Sequence, residues 1–400
     1  MPMPFTKIAA ILCGALLLSA CAGQSARNPV PEQIVDEARI AGYSHIRFWG
    51  DVLPERSDAA ATLRAAHRAA DYRRGPAPRK LDFLAVSGGG EDGAYGAGLL
   101  NGWQARGTRP EFEIVTGVST GALIGTFAFL GPSRDAQMRQ FYTEYSSKQI
   151  LRSRGIIGVV LGGISLADDA PLAKLIDRAV DEQMLDEIAE QHRRGRRFFV
   201  ASTNLDAQRP VIWDMGAIAA SNHPTRLSLF RSVLLASASI PGMFPPVRIQ
   251  VTVDGRVYDE LHVDGGVTEN AFVFPALFME ASTTLGRHVP RTLYIISNGK
   301  LAPEWQKTDY RLLPIVARSI ATLAKVHGLG DLFRLYALTR ARGIGYRLTS
   351  IPEDFHVASK EAFDMHYMDQ LYRIGYEAGA RGNPWLTEPP SMGFLKTELR

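Results

Sequence analysis

Three turns in this chain set residues that could do chemistry beside glycines. In Gly117-Val118-Ser119-Thr120-Gly121 a serine has glycines two before and two after it. The apolar run before it reads as a strand and the pattern after it as a helix. A nucleophilic serine on so sharp a turn needs small neighbours, because the backbone is strained and other chain passes close by. The helix start would also aim unpaired amides at an oxyanion forming beside Ser119. The same residues suit a serine that only caps a helix, and alone they leave both readings open.

The second turn is Ser87-Gly88-Gly89-Gly90-Glu91-Asp92-Gly93, again between strand and helix. It satisfies GxGxxG, the pattern of a dinucleotide-binding turn, but that reading wants an acidic residue at the end of the next strand. There this chain has the Ser119 elbow instead. Consecutive glycines can equally expose N–H groups as a cradle for developing negative charge. Neither turn is a Walker loop, since no Gly-Lys-Ser/Thr closes it. The third turn is Asp264-Gly265-Gly266. A serine hydroxyl needs a base to take its proton, commonly a His held by an Asp. Of the nine histidines, His262 shares a strand face with Asp264 and stays open as that base. Asp-Gly is also a common turn pair, which needs no chemistry. No HExxH or calcium-loop spacing is present, so neither metal nor cofactor is expected.

The elements that position these turns alternate. Strand patterns cover 81–86, 112–116, 197–202, 211–213 and 292–296, and helix patterns cover 94–104, 121–130 and 227–237. Asp254-Gly255 between 247–253 and 257–258 signals a hairpin, and 261–263 reads as a further short strand before Asp264. Strands alternating with helices predict an α/β fold with a mostly parallel sheet covered on both faces. Residues 32–74, notably 59–72, read as helical and packed on the main domain. Helices are expected over 312–338, whose apolar positions read as covering the domain with membrane insertion as the alternative, and over 361–376. The basic run 193–197 reads as a solvated loop before a strand, with contact to anionic lipid as the alternative. The apolar, glycine-rich 156–164 reads as a lid or a buried turn.

Taken together, the turns resemble one family. They occur in the order glycine-rich turn, GxSxG serine, Asp-Gly-Gly, as in the patatin-like phospholipases. Ala236-Ser237-Ala238-Ser239-Ile240-Pro241-Gly242-Met243-Phe244-Pro245-Pro246 is similar to that family's block before its aspartate. The resemblance implies a three-layer α/β/α domain and hydrolysis of lipid acyl esters by a Ser–Asp dyad without histidine. Carried onto this chain, Ser119 is the nucleophile, Asp264 the base, and the amides of Gly88, Gly89 and Gly90 the oxyanion hole. Gly93, Gly117, Gly121, Gly265 and Gly266 complete the motifs. Many members carry Arg or Lys where this chain has Asp92. An acid there repels an anionic head group, so phospholipid and neutral ester both stay open as substrates. The competing reading is a non-catalytic lipoprotein of the same fold acting as an envelope binding or assembly factor. It would have been favoured by loss of Ser119, Asp264 or the glycine turn.

The N-terminus reads as a targeting segment. One lysine, Lys7, precedes an apolar run from Ile8 to Leu18. A bilayer span needs about 20 apolar residues, so the run fits a signal peptide instead. It ends in Leu18-Ser19-Ala20-Cys21, which looks like a lipobox with Cys21 as the acylated residue. An ordinary signal peptide cut near Ala20 or Ala22 is the alternative. With Ala22 in the next position, the expected destination is the outer membrane, facing the periplasm or the surface. At about 0.8 kcal/mol per buried methylene, two or three acyl chains would anchor the protein without a transmembrane helix.

The expected organisation is therefore a signal peptide (1–20), a tether with a helical segment (21–80), a catalytic domain (81–299) and a C-terminal helical extension (300–400). Lys and Arg total 45 against 41 Asp and Glu, a net charge of +4 that offers no case for nucleic acid. The expected partners are membrane lipids as substrate and the membrane itself through Cys21. Both cysteines, Cys13 and Cys21, lie at the N-terminus, so the remainder can form no disulfide or cysteine metal site.

Overall fold

A computed structural model describes residues 27–52, 80–145, 147–150, 152–153, 165–273, 290–382 and 385–390. The signal peptide, Cys21, the helix pattern 59–72 and the glycine-rich 156–164 lie outside the described residues.

The strands of the main sheet are β1 (Arg47–Trp49), β2 (Leu81–Val86), β3 (Ile114–Val118), β4 (Arg197–Asn204), β5 (Arg209–Asp214), β6 (Val247–Val253), β7 (Arg256–Asp264), β8 (Arg291–Ser297) and β9 (Gly345–Ser350). Their order is β1-β5-β4-β3-β2-β8-β9, with β7 also on β4 and β6 on β7. The run from β4 through β3, β2 and β8 to β9 is parallel. The pairs β1–β5, β4–β5, β4–β7 and β6–β7 are antiparallel. The helices are α1 (Gly93–Ala105), α2 (Thr120–Leu130), α3 (Asp135–Thr143), α4 (Ala170–Ala179), α5 (Glu182–Arg193), α6 (Met215–Ala220), α7 (Arg226–Ser237), α8 (Leu312–Ala341) and α9 (Met365–Arg381).

The parallel strands are buried on both faces, which is why they read as unbroken apolar runs rather than as alternation. Their side chains still divide by parity. Leu84 and Val86 of β2, Phe198 and Val200 of β4, and Ile296 of β8 enter one core with α1, α2, α5, α7 and α9. Phe83 and Ala85, Phe199 and Ala201, and Leu293 and Ile295 enter a second core, closed by Leu332 and Leu335 of α8. The result is the expected α/β fold with helices on both faces.

Both terminal segments depart from the helical expectation. Residues 32–37 form only a short 3-10 turn, and Arg47–Trp49 is an edge strand on β5. Its Arg47 reaches the buried Glu260 with a guanidinium nitrogen at 2.9 Å, which accounts for a basic residue in an otherwise apolar strand. At the other end β9 extends the sheet, so 300–400 is not helix alone. Helix α9 packs along α1 through glycines on both. A side chain at Gly98 or Gly102 would overlap the backbone of Tyr372 or Tyr376, and one at Gly375 or Gly379 that of Tyr95 or Leu99.

Three further expectations change. Residues 257–258 and 261–263 belong to one strand, β7. Within the basic run 193–197, Arg193 and Arg194 pair with Glu190 at the surface, whereas Arg196 is buried, donating to the Phe112 carbonyl and lying over the Phe129 ring. In α8 only the C-terminal half covers the domain. Leu312, Leu323 and Val326 in the first half are 75%, 70% and 62% exposed.

Candidate active site

Ser119 follows β3 and stands at the entrance of α2 with φ 55° and ψ −126°. A non-glycine residue in that region is strained by roughly 1–3 kcal/mol and persists only where its surroundings hold it. Here the surroundings are backbone. A side chain at Gly117 would overlap the Gly121 carbonyl, and one at Gly121 the Val86 carbonyl. The Ser119 N–H donates to Ser237 Oγ at 2.9 Å. Ser119 is 4% exposed.

Asp264 ends β7, opposite Ser202 of β4, and its N–H donates to the Ser239 carbonyl at 2.9 Å. The 236–246 block thus holds both partners, Ser119 through the Ser237 hydroxyl and Asp264 through the Ser239 carbonyl. Asp264 Oδ1 accepts the Gly266 N–H at 2.8 Å, and Gly265 packs its backbone on the Ala201 carbonyl. Oδ2 is buried without a completed hydrogen bond. Burial pushes this carboxyl up to about 6, opposed by the nearby Ser119 hydroxyl and by the Gly266 amide. The Ser119 hydroxyl thus lies near the Asp264 carboxyl, while Oδ2 has no completed hydrogen bond, as is common before substrate binds.

His262 is not available as the base. One ring nitrogen contacts Ser202 Oγ at 2.9 Å and the other Glu260 Oε2 at 2.9 Å, within a network that includes Arg47 and Trp213. Burial lowers its pKa against the pull of Glu260. Burial alone would raise Glu260, but Arg47 and His262 hold it at about 2.

The glycine turn is held from β8. Asn298, just beyond that strand, donates its N–H to Ser87 Oγ at 2.8 Å and its Nδ2 to the Ser87 carbonyl at 2.9 Å. Gly89 has φ 157°, and a side chain on it would overlap the Asn298 carbonyl. The Gly88 N–H donates to the Asn270 carbonyl at 3.1 Å, so it is already committed. The amides of Gly89 and Gly90 have no acceptor among the described residues. The oxyanion cradle expected from three amides therefore reduces to two. Gly93 packs on Thr120 and brings the turn against the start of α2.

Glu91 and Asp92 face the protein rather than a substrate. Glu91 Oε2 accepts the Phe363 and Asp364 amides, and Asp92 Oδ1 accepts the Tyr367 hydroxyl at 2.6 Å. Burial pushes Asp92 up to about 7, with Tyr367 opposing. The expected repulsion of a head group by these acids thus loses its geometric basis.

Ser119, Thr120 and Gly90 border a narrow pocket of about 40 Å³ whose walls include Leu123, Phe141, Leu172 and Phe244. Its lining is almost wholly apolar. Among the described residues no cluster of His, Cys, Asp or Glu could hold a metal. Sequence reasoning did not single out Asn298, Asn270 or Ser237 as working residues. Ser237 lay inside a recognised motif, and Asn298 lay at a recognised strand end, but neither signal told which group each would hold.

Residues 84–277 match the family model described as patatin-like phospholipase. The match spans 194 of the 400 residues and takes in both Ser119 and Asp264. No curated protein sequence matches. Among solved structures, VipD from Legionella pneumophila is similar at 13% identity over 76% of this chain and 67% of its own, with a TM-score of 0.39. Human GIVD cytosolic phospholipase A2 is similar at 10% identity over 78% of this chain, with a TM-score of 0.32. This chain spans about half of that enzyme, 53%.

Proposed function

We propose that the patatin-like phospholipase domain of this chain hydrolyses acyl esters of membrane lipids through Ser119 and Asp264. The observation that carries this reading is a strained, buried serine beside a buried carboxyl oxygen without a completed bond, at the edge of an apolar pocket. Asp264 Oδ2 takes the hydroxyl proton as Ser119 Oγ bonds to the acyl carbon. The Gly89 and Gly90 amides meet the oxyanion, where each preorganised donor contributes about 3–4 kcal/mol. Collapse breaks the ester bond, and Asp264 returns the proton to the departing alcohol. Water then gives a proton to Asp264, attacks the acyl-serine and frees the fatty acid, and Ser119 regains its proton. With its pKa near 6, Asp264 is mostly ionised at neutral pH and ready as a base.

We further propose that the mature chain is a bacterial lipoprotein, acylated on Cys21 and held at the outer membrane, where lipid esters are at hand. The test is labelling with a fluorophosphonate ester beside Ser119→Ala and Asp264→Asn. The wild type should label and both folded variants should not. A folded, unlabelled wild type, or an Asp264→Asn that labels at the wild-type rate, would overturn the dyad.

A further inference from the structure

Helix α8 divides at Gly328. Past it, Asp331, Leu332, Leu335 and Thr339 are buried. Before it, Leu312, Leu313, Ile315, Val316, Ile320, Leu323 and Val326 are between 40% and 75% exposed. At 100° per residue these seven positions fall within an arc of roughly 160°, one continuous apolar face. A soluble surface does not ordinarily carry so large an unbroken apolar face.

The other side of the same segment is tied to the protein. Arg318 and Lys325 donate to the carbonyls of Glu304 and Ala302. They lie seven residues apart on one stripe, so the stripe turns inward and the apolar arc outward. Between residues 310 and 330 there is no Asp or Glu. Trp305 and Tyr310, 91% and 99% exposed, stand at the beginning of the helix, beside the exposed Lys307 and Arg311.

We infer that residues 312–326 of α8 form a membrane-docking surface whose occupant is the lipid bilayer. The chemistry matches on two counts. The apolar arc suits acyl chains, and the exposed Trp and Tyr suit the interfacial region. The segment enters one leaflet rather than spanning. Its 15 residues reach about 22 Å at 1.5 Å each, short of a hydrocarbon core of about 30 Å, and the helix continues into the domain core.

The surface also lies at the right end of the molecule. Asp331 Oδ2 accepts the Asn270 N–H at 2.7 Å, and the Asn270 carbonyl accepts the Gly88 N–H. The segment clamped under Arg318 and Lys325 continues from Asn298, which holds the glycine turn. Docking would therefore set the oxyanion turn close to the lipid. This part of the inference rests on the lipid-hydrolase reading. A lipid on Cys21 alone would leave the domain free to turn on its tether, and a second contact would fix its face.

The test uses the mature chain carrying Cys21→Ser, which removes both the acyl group and the last cysteine. A single Leu323→Cys is labelled with an environment-sensitive dye, with Val257→Cys on the distant hairpin as control. On vesicles of phosphatidylglycerol and phosphatidylethanolamine, the dye at 323 should shift to the blue and be quenched by lipid-borne quencher, and the dye at 257 should do neither. Leu323→Glu with Val326→Glu should weaken vesicle binding at least tenfold and leave hydrolysis of a short, water-soluble ester unchanged. Both sites are exposed, so folding is retained. An unshifted dye at 323, equal shifts at both sites, or unchanged binding by the double variant would overturn the inference. So would a dimer in light scattering that the double variant splits while vesicles leave the dye unmoved. Failure of ester hydrolysis with a shifted dye would sink the catalytic reading and leave the docking surface standing.

Discussion

Replacing Asp264 by Asn should stabilise the fold while removing its activity, and the size of the gain should depend on pH. Burial raises the Asp264 pKa from 3.8 to about 6, against the Ser119 hydroxyl and the Gly266 amide. Between those two values the folded protein binds more protons at this site than the unfolded chain, so stability falls as pH rises through the window. Two units at roughly 1.36 kcal/mol each mean that ionised Asp264 costs the fold on the order of 3 kcal/mol above pH 6. Asparagine keeps an oxygen for the Gly266 N–H and carries no charge. The variant should match the wild type near pH 4 and exceed it by about 3 kcal/mol at pH 8. With an unfolding entropy of about 2 cal/mol/K per residue over a chain of this length, that is a rise in Tm of about 3–4 °C. Thermal scans from pH 4 to 8 read the difference directly. The same ionisation should give wild-type kcat/KM an acid limb near pH 6. A Tm difference that does not change with pH, or a variant less stable at pH 8, would refute burial as the origin of the raised pKa.

Two other perturbations test the scaffold. Asn298→Ala removes the Nδ2 bond to the Ser87 carbonyl and loosens the glycine turn; ester hydrolysis should fall at least tenfold in kcat with little change in KM, and stability should drop by about 1–2 kcal/mol. Arg47→Met strands the buried Glu260 and should cost about 3–5 kcal/mol in denaturant unfolding at pH 7, much of it recovered by adding Glu260→Met.

The central sheet was legible because strands buried on both faces leave unbroken apolar runs, as in 81–86, and because glycines punctuate their ends. The positions of Ser119 and Asp264 were legible for the same reason, since a sharp turn at a strand end admits few residues. What could not be read was whatever depends on distant chain. Arg47-Phe48-Trp49 has the alternation of neither a strand nor a helix over so short a span, and only pairing with β5 makes it a strand. Gly88 looked equivalent to Gly89 until the Asn270 carbonyl, 182 positions away, claimed its amide. The exposed face of α8 has the same residue types as a core helix, and sequence alone does not tell which of the two an apolar arc will meet.

The glycine seam between α1 and α9 has a consequence for the order in which the molecule comes into being. Helix α1 begins at the oxyanion turn, near the start of the catalytic stretch, yet the helix that fits its glycine face is encoded in residues 365–381. The Glu91 and Asp92 anchors also wait on that late segment. A growing chain therefore carries Ser119 for some 250 residues of synthesis before its glycine turn can be locked. The fold thereby ties the glycine turn's final geometry to the late segment, so a partly made chain holds Ser119 beside a turn that is not yet locked.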